Sequence, residues 1–409
     1  MGLLRSCQLP MIKKYWKSVV LVTLLLFVSV ASAENIAGSV QLHGFISQAY
    51  INTSDNNFWG ETSADDHFGF RELGINISSQ PTADLHLAGQ LLVRNAGHLD
   101  DDEVRVDYVL ADYIIVSSQP RSLGVRIGRI LHPLGLYNET RDIAFTRPGI
   151  LLPQSIYFDR TRDLAFSSDG FQLHGEHRIK SSELFWQVGA ALPIVDSPEL
   201  ELALLTNDFP GGFVPDTSYL GRVFWERHGG RAKVGLSYAY VDMHYKPGQL
   251  PQLSKGHVAF TPAILSLQYN EEKLSITTEY ALRKFEYKGL DQGLVVIPDQ
   301  HFTGESWYLQ STYRMTPAWE VFVRYDNLYT DRNDKDGKEY ALATGQPAFS
   351  RYAHDATVGV KKVFMPNFMI RAEYHRVDGT AWLSTLDNQP PQMPVRKWNM
   401  FAVLASYRF

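Results

Sequence analysis

The chain has 409 residues, of which 44% are apolar and 20% charged, so its composition is that of an ordinary globular protein. Its single cysteine, Cys7, excludes a disulfide scaffold and any cysteine-based metal site. The formal net charge of −5, without a basic tail, argues against nucleic acid as a partner. After residue 33, no apolar run approaches the roughly 20 residues that a membrane helix needs.

The first 33 residues have the three parts of a secretory signal peptide. The basic residues of the first part are Arg5, Lys13, Lys14 and Lys17. A short apolar block follows at 18–30, and the small residues at 31–33 form a cleavage site. We expect export and cleavage after Ala33, which leaves residues 34–409 as the mature protein. An uncleaved membrane anchor is the alternative, and the apolar block is short for it.

The mature chain alternates between apolar and polar residues almost from end to end. This period of two is typical of β-strands with one apolar face. Clear examples are 85–93, 184–192, 232–240, 274–282 and 319–325. Helical periodicity is nearly absent, so we predict an all-β protein.

Short and long connections alternate between these predicted strands. Seven are short and rich in turn-forming residues, and they lie near 80–83, 118–121, 180–182, 228–230, 270–273, 315–317 and 365–367. Eight are long and polar, and they lie near 52–66, 95–103, 131–169, 193–217, 243–257, 287–303, 330–353 and 379–397. Fifteen connections predict sixteen antiparallel strands, with plain turns at one end and large loops at the other.

The two faces of these strands differ in a way that indicates a membrane. The apolar face carries aromatic residues towards the strand ends, namely Trp225, Tyr240, Trp307, Tyr313, Trp319, Tyr325, Phe368 and Tyr374. Such girdles around an apolar band suit a lipid-facing surface. The other face carries Arg94, Arg105, Asp107, Arg126, Glu176, Arg178, Arg222, Glu279, Arg283, Arg324, Lys361, Arg371 and Glu373. So many charges require water, which predicts a transmembrane antiparallel β-barrel around a water-filled lumen.

The third long connection, 131–169, is far longer than the usual hairpin loop of two to five residues. It differs from a disordered segment because it has its own apolar residues: Leu134, Leu136, Ile143, Phe145, Ile150, Leu151, Leu152, Ile156, Tyr157 and Phe158. Pro133, Pro148 and Pro153 stiffen it. We expect this loop to pack against another part of the molecule.

The last strand places Phe401, Val403, Ala405, Tyr407 and Phe409 on one face. A terminal Phe after alternating apolar residues resembles the C-terminal strand of Gram-negative outer-membrane β-barrels. The resemblance implies that Tyr407 and Phe409 are the signal read by the barrel assembly machinery.

The predicted signal peptide, the strand count, the turn and loop asymmetry and the last strand together resemble the sixteen-stranded outer-membrane porins of Gram-negative bacteria. The resemblance implies residence in the cell outer membrane, contact with lipid and lipopolysaccharide, and a homotrimer. It also implies a channel for passive diffusion of small hydrophilic solutes or ions, with no cofactor and no enzymatic activity. The short turns would then be periplasmic and the long loops extracellular.

In the resembling porins the third loop folds into the lumen. In that position Glu139 and Asp142 of the loop would face Arg94, Arg105 and Arg126 of the wall across a narrow gap. Opposed charges of this kind make a transverse field that orients and filters polar solutes. We therefore predict that these five residues line the pore constriction. The alternative is that the loop lies outside as a lid and its charges pair among themselves.

Other chemistries have little support in the sequence. His174 and His177 point to opposite faces of a strand and cannot chelate one ion. There is no G-x-S-x-G motif, and we identify no catalytic residue and no metal-binding set. An aromatic track for sugars is an open alternative, with candidates Tyr137, Phe145, Tyr157 and Phe158. Two other functions stay open: a loop-closed barrel that acts as an adhesin or scaffold, and a barrel phospholipase or protease.

Overall fold

The computed structural model describes residues 40–63, 68–249, 252–389 and 393–409. The predicted signal peptide, residues 1–33, lies outside these ranges and stays a prediction. In the part of the chain that the structure describes, every helix is too short or too polar to cross a membrane.

The described residues form one antiparallel sheet of 17 strands. The strands are β1 (Val40–Thr53), β2 (Arg71–Thr82), β3 (Leu85–Asn95), β4 (Asp101–Ser118), β5 (Arg121–Leu131), β6 (Ser167–Ile179), β7 (Ser182–Pro193), β8 (Gly211–Pro215), β9 (Ser218–Arg227), β10 (Ala232–Pro247), β11 (Gly256–Asn270), β12 (Leu274–Lys288), β13 (Gln300–Arg314), β14 (Trp319–Tyr329), β15 (Tyr352–Met365), β16 (Phe368–Gly379) and β17 (Lys397–Arg408). Short α-helices lie in the loops: α1 (Arg162–Phe166), α2 (Pro198–Leu205) and α3 (Lys338–Thr344). Two 3₁₀ turns, Asn138–Thr140 and Ala348–Arg351, accompany them.

The sheet closes on itself. β1 pairs with β2 on one side and with β17 on the other. The short β8 and the longer β9 pair with successive parts of β10, with Pro215 opposite Met243 and Tyr219 opposite Tyr240. They therefore share one position in the wall, and the fold is the predicted closed barrel of sixteen strands.

Each predicted turn or loop overlaps a connection in the structure, but the bounds differ: β10 continues through 243–247, which were predicted as loop, and the loop predicted at 193–217 contains the short strand β8. The turn between β9 and β10 shows how the sequence sets them, because His228, Gly229 and Gly230 have φ values of 50°, 64° and 85°. Glycine adopts this left-handed region without steric cost. The turn end of the barrel is therefore compact, and the long loops gather at the opposite end.

The outer face has the pattern of a lipid-facing surface. Exposed aliphatic side chains cover its middle, for example Leu91, Val188 and Val323. Exposed aromatic side chains lie towards the two rims, with Tyr240, Tyr325 and Tyr374 at the loop end and Trp225, Tyr313 and Trp319 at the turn end. This is the distribution expected for aromatic girdles.

The inner face is less uniform than the predicted charged lining. Where β16, β17 and β1 meet, it is apolar: Met400 and Leu404 of β17 and Ile51 of β1 are buried in one cluster. Trp59 of the first loop and Trp382 of the last loop pack into the same cluster. Both faces of β17 are therefore apolar, one against lipid and one against loops folded inward.

Phe409 provides a test of the closing strand. Its backbone exchanges hydrogen bonds of 2.9 and 3.0 Å with Gly44 of β1. A charged side chain near the rim of a barrel destabilises the folded protein by only about 0–1 kcal/mol. The substitution Phe409→Asp should therefore reduce the amount of folded barrel strongly only if this residue acts in assembly. We expect a large loss of assembled barrel, measured by heat-modifiable electrophoretic mobility of outer-membrane fractions.

The matched control is Leu294→Asp, which makes the same kind of change at a loop residue that is 86% exposed. It should assemble like the unmodified chain. Normal assembly of Phe409→Asp would remove the assembly role assigned to this residue.

Candidate pore constriction

The loop between β5 and β6, residues 132–166 and called the third loop below, lies inside the barrel. It crosses the lumen and contacts the inner face of strands far from its own ends. The amide of Gly135 donates to Ser237 Oγ of β10 at 3.0 Å, and the amide of Ser155 donates to the Asp326 carboxylate of β14 at 3.4 Å. A loop with no strand partner must satisfy its backbone through such contacts.

Glu279 of β12 anchors the first part of the loop. Its buried carboxylate accepts hydrogen bonds from Tyr157 Oη at 2.6 Å, Ser266 Oγ at 2.6 Å, Tyr308 Oη at 3.0 Å and the Leu136 amide at 3.0 Å. Four donors satisfy the acceptor capacity of an ionised carboxylate. Tyr157 is consequently a packing anchor and is not free to line a sugar track.

Glu373 of β16 anchors the far part of the loop. Its carboxylate accepts the amides of Ile150 and Leu151, the latter at 3.3 Å. Beside it, the Arg371 guanidinium donates to the Gly149 carbonyl at 2.8 Å. A carboxylate of the wall therefore binds the amides of this backbone segment, and a guanidinium of the wall binds its carbonyl.

Two of the predicted arginines form ion pairs with the third loop. Arg94 of β3 is buried and contacts Asp159 of the loop at 3.1 Å and Glu72 of β2 at 3.4 Å. Arg105 of β4 is partly exposed and lies 3.7 Å from Asp163 of the loop. Direct contact replaces the open gap expected from the sequence at both positions.

Asp142 pairs within the third loop itself. Its carboxylate is buried and lies 2.7 Å from the Arg162 guanidinium. Burial favours the neutral acid, but the charge and hydrogen bond of Arg162, together with the charges of Arg105 and Arg141, hold the pKa of Asp142 below its usual range. Arg162 also approaches Asp107 of β4 at 3.8 Å, so Asp142 belongs to the same charge cluster as Arg94 and Arg105.

The other two predicted residues lie apart from that cluster. Glu139 forms an ion pair with Arg222 of β9 and accepts a hydrogen bond from Gln187 of β7 at 3.3 Å. Arg126 of β5 contacts Asp112 of β4 at 2.8 Å. The assignment of all five as a constriction therefore stays a prediction: three members form one cluster, Arg126 lies on β5, and Glu139 of the third loop lies against β7 and β9.

Several important residues were not singled out from the sequence as site residues. Glu279, Glu373 and Arg222 appeared only as inward-facing charges. Arg147 of the third loop, which contacts Glu72 at 3.0 Å, had no partner that the sequence could indicate. The sequence signal that could have identified the wall residues is a charged side chain on the inner face near the middle of a strand.

The loop end of the barrel is narrowed by contacts between loops. Glu199 of α2 accepts from Arg160 Nε of the third loop at 2.7 Å and from Ser384 Oγ of the last loop at 2.9 Å. Asp387 of the last loop accepts from the amides of Gly60 at 3.2 Å and His98 at 3.0 Å. Two buried carboxylates thus join loops from different sides of the mouth.

No protein-family model and no curated protein sequence matches the chain. Solved structures match it by fold. An anion-selective porin from Comamonas acidovorans is 13% identical, with 91% of this chain and 99% of that chain covered and a TM-score of 0.57. The trimer form of OmpT, an outer-membrane protein of Vibrio cholerae, is 12% identical, with 91% and 99% covered and a TM-score of 0.55.

Salmonella typhi OmpF in complex with daunomycin is 11% identical, with 90% and 97% covered and a TM-score of 0.55. Each match spans nearly the whole barrel. The chain therefore has the fold of the sixteen-stranded Gram-negative outer-membrane porins, as its sequence pattern predicted. At these identities the likeness establishes the fold.

We expect His132 to make the base of the third loop sensitive to pH. Its imidazole is buried, and Nε2 lies 2.6 Å from Ser168 Oγ at the start of β6. Burial disfavours the imidazolium and lowers the pKa of His132 from 6.5 to about 4. An opened loop binds this proton more readily, so the closed loop is most stable above pH 6.5 and loses stability as the pH falls to about 4.

The loss amounts to about 3 kcal/mol at the acidic limit. Hydrogen exchange of peptides from 132–138 should therefore accelerate as the pH is lowered over this range, after correction for intrinsic exchange. His132→Asn should remove most of that dependence, whereas His228→Asn in an exposed turn should not. An unchanged pH profile in His132→Asn would show that another group controls the loop.

Proposed function

We propose that the protein is an outer-membrane porin that passes small hydrophilic solutes or ions by diffusion. The observation that carries this proposal is the inner wall near the turn end. There Lys233 pairs with Glu226 at 2.6 Å, with 25% and 20% of their side chains exposed. Lys361 pairs with Glu320 at 2.7 Å, with 21% and 15% exposed. Inward charges reach solvent only if the lumen contains water.

At the third loop, Arg105, Arg126 and Glu139 keep 25%, 26% and 28% of their side chains exposed. Arg94 and Asp142 keep only 3% and 4%. A passing ion would therefore meet the first three directly and feel the other two through the local field. Charges of both signs on the third loop and on the wall beside it support a constriction with a transverse field.

The cellular setting follows from the same proposal. The chain is exported by its signal peptide, inserted by the barrel assembly machinery through Phe409 and Tyr407, and surrounded by lipid and lipopolysaccharide. A homotrimer is part of the proposal, supported by the trimer form of Vibrio cholerae OmpT. Chemical crosslinking in native membranes tests it.

One observation favours a second function, a barrel closed by its loops that acts as an adhesin or scaffold. Glu199 and Asp387 tie the loops together across the mouth. In that case the water-filled part of the lumen near the turn end would be closed off by the loops. The two functions differ in permeability, which can be measured directly.

Permeability is tested by liposome swelling with the purified full chain. We expect swelling in small sugars and amino acids, because the proposed lumen is water-filled near the turn end. Glu199→Gln should speed swelling if the loop contacts restrict entry, since it weakens the ion pair with Arg160. No permeability in either protein would overturn the porin proposal and favour the closed barrel.

Ion selectivity tests the constriction. Replacing Glu139 and Asp142 by Gln and Asn should shift the reversal potential in a salt gradient towards anion preference. Replacing Arg94, Arg105 and Arg126 by Gln should shift it towards cations. In single variants, the exposed Glu139 should contribute more than the buried Asp142.

The control is Arg231→Gln, which removes an exposed arginine that pairs with Glu271 at the turn end. It should leave selectivity nearly unchanged. If neither group of substitutions changes conductance or selectivity, these five residues do not form the constriction.

A further inference from the structure

A cavity of about 120 Å³ lies inside the barrel between the third loop, α2 and the strands β11 to β14. None of the five predicted constriction residues lines it. Its walls are largely apolar, with Phe158 and Leu164 of the third loop, Leu200 of α2, and Phe260 and Phe285 of the barrel wall. Partly exposed residues, including Ala203 of α2, also line it, so the cavity reaches the surface.

Aromatic rings shape one side of this cavity. Phe260 of β11 and Phe285 of β12 pack with ring centroids 4.8 Å apart, and Phe302 of β13 stacks on Phe285 at 5.1 Å. All three rings belong to the inner face of the wall. An apolar protein cavity of roughly 150 Å³ can hold a benzene molecule. This cavity is slightly smaller, at about 120 Å³, but it is open on one side, which suits a single aromatic ring.

Arg283 of β12 brings a positive charge to the same cavity. Its guanidinium lies 4.6 Å from the centre of the Phe158 ring, and Nη1 donates to the Ser155 carbonyl at 2.5 Å. No carboxylate of the described residues forms an ion pair with it. The charge of Asp326 acts on it only from beyond ion-pair distance.

Arg160 lines the cavity too, but it differs from Arg283 because Glu199 neutralises it at 2.7 Å. A buried cation without a counter-ion is costly. An anion that enters the cavity would supply the missing charge, and its remaining surface would have to be apolar to fit the phenylalanine walls.

We propose that this cavity binds small aromatic carboxylates, with the ring among Phe158, Phe260 and Phe285 and the carboxylate against the Arg283 guanidinium. Arginine pairs strongly with carboxylates, and offset aromatic rings attract each other. The inference deepens the proposed function, because it names a class of solute that would be captured on the loop side of the channel. Binding itself does not depend on conduction.

The direct test is calorimetric titration of the full chain in detergent with benzoate, acetate and benzyl alcohol. Benzoate should bind saturably at one site. Acetate lacks the ring and benzyl alcohol lacks the charge, so each should bind about tenfold more weakly or worse. Absence of saturable benzoate binding, or equal affinity for acetate, would overturn the proposal.

Two variants locate the site. Arg283→Gln should weaken benzoate binding about tenfold or more and leave benzyl alcohol binding nearly unchanged. Because Arg283 also holds the third loop at Ser155, a second variant is needed that keeps this contact. Ala203→Trp places a large side chain into the cavity from α2 and should abolish benzoate binding.

The matched control is Lys284→Gln, which removes a neighbouring positive charge from the outer face of the same strand, where 54% of the side chain is exposed. It should bind benzoate like the unmodified chain. Heat-modifiable mobility identifies folded protein for every titration. Unchanged benzoate affinity in both cavity variants would place the site elsewhere and contradict the proposal.

The titration and the swelling assay separate this inference from the porin proposal. A chain that conducts but does not bind benzoate would refute the cavity assignment and leave the porin function intact. A chain that binds benzoate but does not conduct would refute the porin function and leave the cavity assignment intact.

Discussion

The architecture depends on closure of the sheet between β1 and β17. A strand edge facing hydrocarbon would leave a row of backbone amides and carbonyls without partners, and each would cost several kcal/mol. The pairing from Phe45 opposite Arg408 to Thr53 opposite Met400 removes that edge. Closure also separates the two faces of every strand, one towards lipid and one towards an enclosed lumen.

The enclosed lumen then determines how the third loop is held. A segment inside the barrel loses water but gains no strand partner, so its backbone groups need side-chain partners. The wall supplies carboxylates to amides, as at Glu373, and guanidinium groups to carbonyls, as at Arg371 and Arg283. These contacts offset part of the cost of burying the charges, and removal of one partner leaves the other with the full cost of desolvation.

This arrangement divides the lumen into unlike parts. Towards the turn end, the wall is lined by paired charges in contact with water. Towards the loop end, apolar clusters and inward-folded loops fill much of the space, and the cavity beside Arg283 is aromatic. A solute passing through the proposed channel would meet two chemical environments in sequence, with the third loop between them.

The sequence by itself determined the long strands, the turns and the long loops, because those depend on alternation and turn residues within a few positions of each other, but it placed the short β8 inside a loop. It also identified the aromatic rims and the unusual apolar content of the third loop. It did not reveal that Glu139 pairs with Arg222, that Asp142 pairs with Arg162, or that the inner faces of β16, β17 and β1 form an apolar cluster. Charge signs alone allow many pairings, and an apolar residue facing inward looks the same as one facing lipid.

Only the tertiary structure decided those contacts, since they join residues that are distant along the chain. Tyr157 and Glu279 are 122 positions apart, and Ile150 and Glu373 are 223 apart. Their meeting depends on barrel closure, on the path of the third loop across the lumen and on which wall side chains remain without another partner. Local sequence patterns carry no information about that geometry, so the fold was predictable and the pairing within the lumen was not.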